Sequence, residues 1–403
     1  MVSSRVSLAV LYIATFVMRA AGFASIAVAT SHVYLGVGPA ADFMRGIIVA
    51  SYPAAELVTV MGFGAMCDKI GRKPVLILGH FLTALAAFSF IFSQGALALM
   101  MGFSALFGVG AAAKVSSTLT MISDMSTIKN RAQSMGIFDM TTLGGLAGGY
   151  VAGAMLINLL HFTIFSSLVL AGGMVMVSVV LVLLLVTETK GKEVTSIGVK
   201  ALFKQTFSNK DILRLLPVYT PIICLYGLII AFAEGIAESG SIFSSTQALF
   251  TLGVVGFCLI LGLLLLGRLS DRLLRRKPFI IVGLFCFGVL ATLLTLNVNS
   301  IEILWPILPL VGLVSFGAGA FPPAVLAYLS DIAKHETRGT TFGVYSMILG
   351  TGLIVGPLSG SLVIPTFGTI GFVLLMCLYV TLGALFSLRL PEPLKEERKS
   401  SKK

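Results

Sequence analysis

Twelve apolar stretches, each long enough to cross a lipid bilayer, run through this chain and restrict its possible folds more than any other feature. The hydrocarbon core of a bilayer is about 30 Å thick, and an α-helix crosses it with about 20 predominantly apolar residues. Stretches of this length predict an all-α membrane protein with twelve transmembrane helices. They lie near residues 7–30, 44–66, 74–93, 97–121, 134–157, 162–186, 215–237, 246–267, 278–298, 303–329, 340–364 and 370–389.

The number and the position of the charged residues agree with a membrane protein. Only 11% of the residues are charged, whereas soluble domains have roughly 25%. Apart from Arg45 in a loop and Arg19 and Lys114 inside stretches, the lysines and arginines fall on one side of the predicted topology. The positive-inside rule places that side, and with it both termini, in the cytoplasm. The net charge of +11 therefore reflects topology, and we expect a multi-pass protein of the plasma (inner) membrane that binds no nucleic acid.

No group of residues predicts an enzyme, a metal site or a bound cofactor. The five cysteines lack paired or metal-ligand spacing. The chain has no Gly-rich phosphate loop of the Walker type, so ATP is not expected to drive it directly. No histidine or serine constellation has a spacing that suits catalysis. These observations predict a protein that is not an enzyme.

An acidic residue followed at once by a basic turn ends the second stretch, and the same pattern ends the eighth. The first copy reads GAMCDKIGRK over residues 64–73, and the second reads GRLSDRLLRRK over residues 267–277. Further charged pairs match along the two halves, Asp124 with Asp331 and Arg131 with Arg338. The chain therefore contains an internal repeat, which predicts two similar six-helix bundles that move against each other.

The repeat and the composition between its copies predict four regions. They are an N-terminal bundle (1–186), a polar cytoplasmic linker (187–214), a C-terminal bundle (215–390) and a disordered tail (391–403). Apolar side chains among the charges of the linker predict a short helix at the membrane surface. These side chains are Phe203, Phe207, Ile212 and Leu213.

The turn after the second stretch has the form Gly-x-x-x-Asp-Arg/Lys-x-Gly-Arg-Lys. Together with the six-plus-six helices and the central linker, it resembles the major facilitator superfamily over essentially the whole chain. The second copy departs from the pattern, since Leu274 or Arg275 stands where the glycine is expected. The resemblance implies two pseudo-symmetric bundles around a central cavity, and a secondary transporter that works by rocking-bundle alternating access.

The resemblance also implies gating roles for the repeated charges. Asp68 and Arg72 would form a cytoplasmic charge cluster with Asp124 and Arg131 that keeps the outward-open state closed on that side. The counterpart in the C-terminal half would consist of Asp271, Arg272, Asp331 and Arg338. In the alternative interpretation, these charges only anchor the ends of helices.

Four ionisable residues lie inside apolar stretches of the N-terminal half, where each costs roughly 2.5–3.5 kcal/mol at the bilayer centre unless it is paired or hydrated. They are Arg19, Glu56, Lys114 and Asp139. In one interpretation they form two structural ion pairs, Arg19 with Glu56 and Lys114 with Asp139. In the other, the two cations bind a substrate anion, and one of the two carboxylates takes up and releases a proton. By the resemblance, the helices of Arg19 and Lys114 line the cavity, which favours substrate contact.

Three tyrosines of the C-terminal half are further candidates for the cavity wall: Tyr219, Tyr226 and Tyr345. The sequence as a whole favours a symporter that moves a small organic anion with protons, for which a monomer suffices. The alternative is a proton-driven exporter of multiple drugs or lipophilic cations, in which the buried carboxylates bind the cation. A membrane receptor without transport activity would leave the repeated charged turns unexplained.

Overall fold

The computed structural model describes residues 4–31, 39–93, 95–158, 160–189, 199–237, 246–296, 305–334 and 337–395. The regular elements within these ranges are all helices. The first half of the chain contains α1 (Ser4–Ala29), α2 (Pro39–Ile70), α3 (Arg72–Ser89), α4 (Leu97–Met125), α5 (Arg131–Asn158) and α6 (Ile164–Leu185). The rest contains α7 (Val199–Phe207), α8 (Lys210–Ala237), α9 (Thr246–Leu273), α10 (Lys277–Leu296), α11 (Leu308–Ala318), α12 (Phe321–Ile332) and α13 (Arg338–Ser387).

Nine helical segments of the described chain are long and apolar enough to cross a membrane. The other three predicted stretches are helical as well, and they correspond to α5, α8 and α10. The predicted all-α membrane fold is therefore confirmed.

The predicted stretch 303–329 consists of two helices rather than one. α11 ends at Ala318, and α12 begins at Phe321. Pro322 and Pro323 occupy the first turn of α12, where the missing N–H of proline has no partner to lose. The same residues inside a continuous helix would remove backbone hydrogen bonds and clash with the preceding turn, so the break falls directly before them.

The last two predicted stretches share α13, which is helical over 50 residues. A straight helix of that length would be about 75 Å long. The Tyr379 hydroxyl nevertheless donates to Ser359 Oγ at 2.7 Å, although 20 residues of straight helix would separate the two by about 30 Å. The chain therefore turns back inside α13, and its two apolar segments, Arg338–Ile364 and Ile370–Ser387, are separate spans.

The contacts divide the chain into two compact units. Unit 1 comprises Met1–Met125, Phe138–Thr206 and Lys334–Gly350, and unit 2 comprises Ser126–Ile137, Phe207–Ala333 and Thr351–Lys403. The units differ from the predicted bundles at two helices. The beginning of α5 belongs to unit 2, and the beginning of α13 belongs to unit 1.

Three aromatic rings join α1, α2 and α4 inside unit 1. Phe23 meets Tyr52 edge-on with ring centroids 5.3 Å apart, and Tyr52 stacks on Phe107 at 4.9 Å. Gly108 lets α4 approach α2 closely, because a Cβ atom at this position would lie 2.1 Å from the Tyr52 carbonyl oxygen. This packing fixes three helices that carry buried charges: Arg19 on α1, Glu56 on α2 and Lys114 on α4.

The linker and the tail are more ordered at their ends than the sequence predicts. α7 lies where the short surface helix is expected, but α8 already begins at Lys210, so Ile212 and Leu213 belong to α8. Residues 190–198 lie outside the described ranges. In the predicted tail, Leu394 is buried and Glu392 accepts backbone hydrogen bonds, so the described residues 391–395 are packed on unit 2; residues 396–403 lie outside the description.

Candidate functional site

Four charged residues of unit 1, here called cluster A, gather where α2 ends: Asp68, Arg72, Asp124 and Arg338. Arg72 Nε lies 3.4 Å from Asp124 Oδ2, and Arg72 Nη2 lies 4.0 Å from Asp68 Oδ1. Arg338 Nη1 donates to the second oxygen of Asp124, Oδ1, at 2.8 Å. Asp124 therefore binds one arginine from each half of the sequence.

Four residues of unit 2, here called cluster B, repeat this arrangement where α9 ends: Arg131, Asp271, Arg276 and Asp331. Arg276 is fully buried and donates from Nη1 to Asp271 Oδ1 at 2.7 Å and from Nε to Asp331 Oδ2 at 2.9 Å. Arg131 Nη1 bonds to the other oxygen of Asp331. Cluster B thus also combines charges from both halves of the sequence.

The first aspartate of each cluster caps a helix. The Asp68 carboxylate accepts hydrogen bonds from the backbone N–H groups of Gly339 and Thr340 at 2.9 and 2.8 Å. Asp271 accepts in the same way from the second and third residues of α5 at 3.0 and 2.9 Å. N–H groups in the first turn have no partner within their own helix, and the positive end of the helix dipole favours a carboxylate there. Each aspartate therefore holds the start of a helix from the opposite half.

Two glutamates cap the helices that follow the basic turns. Glu188 accepts from the backbone N–H groups of Arg72 and Lys73 at 3.1 and 3.0 Å. Glu392 does the same for Arg276, which directly precedes α10, and for Lys277, the first residue of α10, at 2.8 and 3.2 Å. The segment that follows each predicted bundle therefore binds the basic turn of a cluster: Glu188 binds at cluster A, and Glu392 binds at cluster B.

The structure groups two arginines differently from the sequence prediction. Arg131, predicted in the cluster of the N-terminal half, lies in cluster B on Asp331. Arg338, predicted in the cluster of the C-terminal half, lies in cluster A on Asp124. Each arginine is the first residue of its helix, and the first turns of α5 and α13 pack in the unit of the opposite half. The arginines are carried across with these turns.

Arg272, predicted in the second cluster, is exposed, and Arg276 takes the expected place. The second turn has one more residue than the first, which explains the difference. In the first turn Gly71 has a positive φ of 119° directly before Arg72, whereas in the second Leu274 has a φ of 50° and one residue separates it from Arg276. Arg276 is therefore the structural equivalent of Arg72.

Arg19 and Glu56 meet inside unit 1. Arg19 Nη2 lies 3.7 Å from Glu56 Oε1, and both side chains are buried. Arg19 Nη1 also donates to the Tyr52 hydroxyl, which lies beside Glu56. The guanidinium carbon lies 5.6 and 5.9 Å from the ring centroids of Tyr52 and Phe23, within cation–π range. This group has the geometry of the predicted structural ion pair.

Lys114 on α4 and Asp139 on α5 are buried without comparable contacts. Lys114 Nζ lies 5.1 Å from the ring centroid of Phe138. Within the described part of the chain, neither Lys114 Nζ nor Asp139 Oδ2 has a hydrogen-bond partner. Phe138 directly precedes Asp139, so the two charged residues lie near each other, but no ion-pair contact joins these two described side chains. Lys114 and Asp139 are therefore near each other, but the described structure does not show the predicted ion-pair contact between them.

Two of the three candidate tyrosines have described side chains, one in each unit. Tyr219 is buried in unit 2 and stacks on Phe321 with centroids 6.0 Å apart. Tyr345 is half-buried in the part of α13 that belongs to unit 1. Tyr226 lies in α8, and its side chain is outside the described part. A role of the three in a cavity wall stays a prediction.

The profile of the Major Facilitator Superfamily matches residues 11–240 and 222–403. The chain belongs to this superfamily. Multidrug resistance protein 2 of Bacillus subtilis (strain 168) is 25% identical over 362 residues, which cover 84% of this chain and 85% of that protein. The quinolone resistance protein NorA of Staphylococcus aureus is 22% identical over 328 residues, which cover 78% and 79% of the two chains.

Solved structures share the fold at low sequence identity. The crystal structure of the human organic anion transporter MFSD10 (TETRAN) has a TM-score of 0.77 at 15% identity, and the match covers 97% of this chain and all of that one. The proton:xylose symporter XylE has a TM-score of 0.73 at 13% identity and 99% coverage of this chain. The major facilitator fold is confirmed. As a superfamily member with many apolar helices, the protein is a multi-pass plasma-membrane transporter of small molecules and not an enzyme.

Four residues of these sites escape the sequence prediction: Tyr52, Glu188, Arg276 and Glu392. The repeat contains a signal for three of them. Glu188 and Glu392 are 204 positions apart, as are Arg72 and Arg276. Tyr52 stands four residues before Glu56, which places both on one face of α2.

Proposed function

We propose that this transporter moves a small organic anion together with protons. The observation that carries the proposal is the position of Lys114, whose ammonium group is buried and has no hydrogen-bond partner in the described part of the chain. A buried charge is costly unless it is paired, and more so within a bilayer. A substrate carboxylate beside Lys114 would supply the missing partner, and Asp139 is the nearby group proposed to take up the proton.

Arg19 has a different role in this proposal from the one that the sequence suggests. Its guanidinium already contacts Glu56 and Tyr52, so it has less capacity for a substrate than Lys114. We propose that Arg19 and Glu56 compensate each other and set the electrostatic field in which Lys114 and Asp139 act.

The two clusters supply the proposed gate. With both termini in the cytoplasm, clusters A and B would close the cytoplasmic side, and their opening would accompany rocking-bundle alternating access. The support is that Asp68 and Asp271 each bind the start of a helix from the opposite half of the sequence. Such contacts must break when the halves separate at this end.

A second candidate function is proton-driven export of lipophilic cations. It is favoured by relatives that are named for multidrug and quinolone resistance and by Asp139 Oδ2, which has no hydrogen-bond partner among the described residues. In this case a cation and a proton would compete for Asp139, and Lys114 would only adjust that carboxylate.

The test is a pH measurement in lightly buffered proteoliposomes that are offered small carboxylates, sugars and lipophilic cations. We expect external alkalinisation with at least one carboxylate, and an about 100-fold loss of this signal in Lys114→Ala, since one partner of a buried charge pair is removed. Ser117→Ala is the matched control on the same helix, because within the described part of the chain this hydroxyl donates only to the Ala113 and Lys114 carbonyl oxygens of its own helix. Proton movement driven by cations and retained in Lys114→Ala would contradict anion transport and support drug export.

A further inference from the structure

We infer that Lys114 and Asp139 form one exchange pair, which binds one monovalent anion and one proton together, so that transport carries no net charge. The inference rests on the proposed transport of an anion, and it adds the stoichiometry, the electrical character and the identity of the proton-binding carboxylate. It follows from the way in which four buried charges of unit 1, Arg19, Glu56, Lys114 and Asp139, are divided.

The first step is that Arg19 and Glu56 neutralise each other. Their side chains are 5% and 9% exposed, Arg19 Nη2 lies 3.7 Å from Glu56 Oε1, and the Tyr52 hydroxyl accepts a hydrogen bond from Arg19. A proton added to Glu56 would leave the Arg19 charge without its counter-ion in a buried place. Glu56 is therefore less suited than Asp139 to bind and release a proton, although the sequence alone does not distinguish the two carboxylates.

The second step concerns the pair that remains. Lys114 and Asp139 lie on neighbouring helices in sequence, both are buried, and each has a polar atom without a hydrogen-bond partner among the described residues. The ionisable groups around them are Arg19, Glu56, Tyr52 and His80. His80 Nδ1 lies 2.9 Å from the Leu76 carbonyl oxygen, so this nitrogen carries a hydrogen and donates. Among the described residues, these surroundings hold the paired Arg19 and Glu56, a phenol and an imidazole, while Lys114 and Asp139 lack an ion-pair contact.

The third step is the charge balance of loading. In the empty state the buried ammonium of Lys114 offsets the carboxylate of Asp139, which directly follows Phe138, the residue whose ring lies beside Lys114 Nζ. An anion that binds Lys114 neutralises the ammonium group. The Asp139 carboxylate then has no counter-ion in a medium of low dielectric. A proton from the aqueous phase then binds the Asp139 carboxylate and restores neutrality. On release both ligands leave, the proton returns to water, and Lys114 and Asp139 again compensate each other.

The experiment measures benzoate and lactate uptake into proteoliposomes whose pH gradient and membrane potential are set independently, the latter with potassium and valinomycin. We expect uptake to follow the pH gradient and to be unaffected by the potential, with one proton for each anion. In Asp139→Asn we expect the proton signal to be lost while residual anion uptake becomes sensitive to the potential. In Glu56→Gln we expect the proton-to-anion ratio to stay at one even where the rate falls.

Binding to purified protein gives a readout that does not depend on turnover. Benzoate added to unbuffered protein with a pH indicator should remove one proton per bound anion in the wild type and none in Asp139→Asn, with Asp139→Glu restoring the uptake. Loss of the proton in Glu56→Gln but not in Asp139→Asn, or wild-type uptake that follows the potential, would overturn the exchange pair and leave anion transport intact. A wild type that neither binds nor moves any carboxylate would overturn the proposed function itself.

Discussion

Arg272 and Arg276 stand four residues apart and differ completely in their surroundings. Arg272 is exposed, whereas Arg276 is fully buried and bonds to two carboxylates and to the Ile128 carbonyl oxygen. Removing one partner of a buried ion pair costs about 3–5 kcal/mol, because the remaining charges lose their compensation. Exposed surface substitutions usually stay within about 0.5 kcal/mol.

We therefore expect Arg276→Ala to lower the thermal unfolding midpoint strongly and Arg272→Ala to leave it nearly unchanged. The midpoints of the purified proteins in one detergent provide the measurement. Equal midpoints for the two variants would contradict the assignment of Arg276 to cluster B.

At the residue scale the sequence predicts the aspartates of the clusters but not all of their basic partners. Asp68 and Asp271 have the same place in two similar turns, and both lie where the repeat predicts them. Arg276 is missed because the second turn contains one additional residue, which moves the start of α10. The positive φ of Leu274 accommodates this residue, and a leucine in the sequence does not predict such a conformation.

At the scale of single elements, four carboxylates hold the starts of four helices. Glu392 is the one nearest the end of the chain, and it accepts from the first N–H groups of α10 while Leu394 beside it is buried. Loss of a cap of this kind costs about 0.5–2 kcal/mol.

This arrangement predicts that Glu392 contributes to stability and that its exposed neighbour Lys395 does not. Glu392→Ala should lower the unfolding midpoint by several degrees, because the start of α10 loses its acceptors, whereas Lys395→Ala should leave it nearly unchanged. Thermal unfolding of the two purified variants gives the answer. The prediction fails if Lys395→Ala is the less stable of the two.

The existence of the elements follows from apolar length, but two of their boundaries do not. The prolines after Ala320 indicate where the tenth stretch breaks, since proline is tolerated in a first turn. The turn inside α13 has no comparable signal, because the backbone stays helical through it; only the contact between Ser359 and Tyr379 reveals the reversal.

At the scale of the whole molecule, cluster A depends on the close approach of α2 and α13. A Cβ atom on Gly64 would lie 2.5 Å from the Gly339 carbonyl oxygen, whereas one on Gly62 would meet nothing within 4 Å. Cys67, which is fully buried, lies beside the same contact. Its thiol can therefore report whether the contact is closed.

We expect Gly64→Ala to open this contact and to speed maleimide labelling of Cys67 by about tenfold or more, since overpacking costs about 1–3 kcal/mol and 1.4 kcal/mol corresponds to tenfold. The measurement uses a protein in which the other four cysteines are replaced by serine. Gly62→Ala is the matched control and should label at the rate of its parent. An unchanged rate in Gly64→Ala would show that the contact does not limit access.

The repeat offset predicts which residues are equivalent and not which residues touch. Arg131 and Arg338 are equivalent, and each stands seven residues after an aspartate of its own half. Closeness in sequence suggests contact with that aspartate. The structure places each arginine on the aspartate of the other half, because the first turns of α5 and α13 pack there. Likewise, only the contacts distinguish Glu56 from Asp139.

The crossed capping by Asp68 and Asp271 is reciprocal. Asp68 of the N-terminal half binds Gly339 of the C-terminal half, and their equivalents, Asp271 of the C-terminal half and Ala132 of the N-terminal half, bind each other in the same way. This is the rule that a self-complementary surface obeys when two identical subunits pair about a two-fold axis. The halves therefore recognise each other as the protomers of a homodimer do. A single half carries both the donor and the acceptor of this recognition, so a pair of such halves made as separate chains already has the means to join.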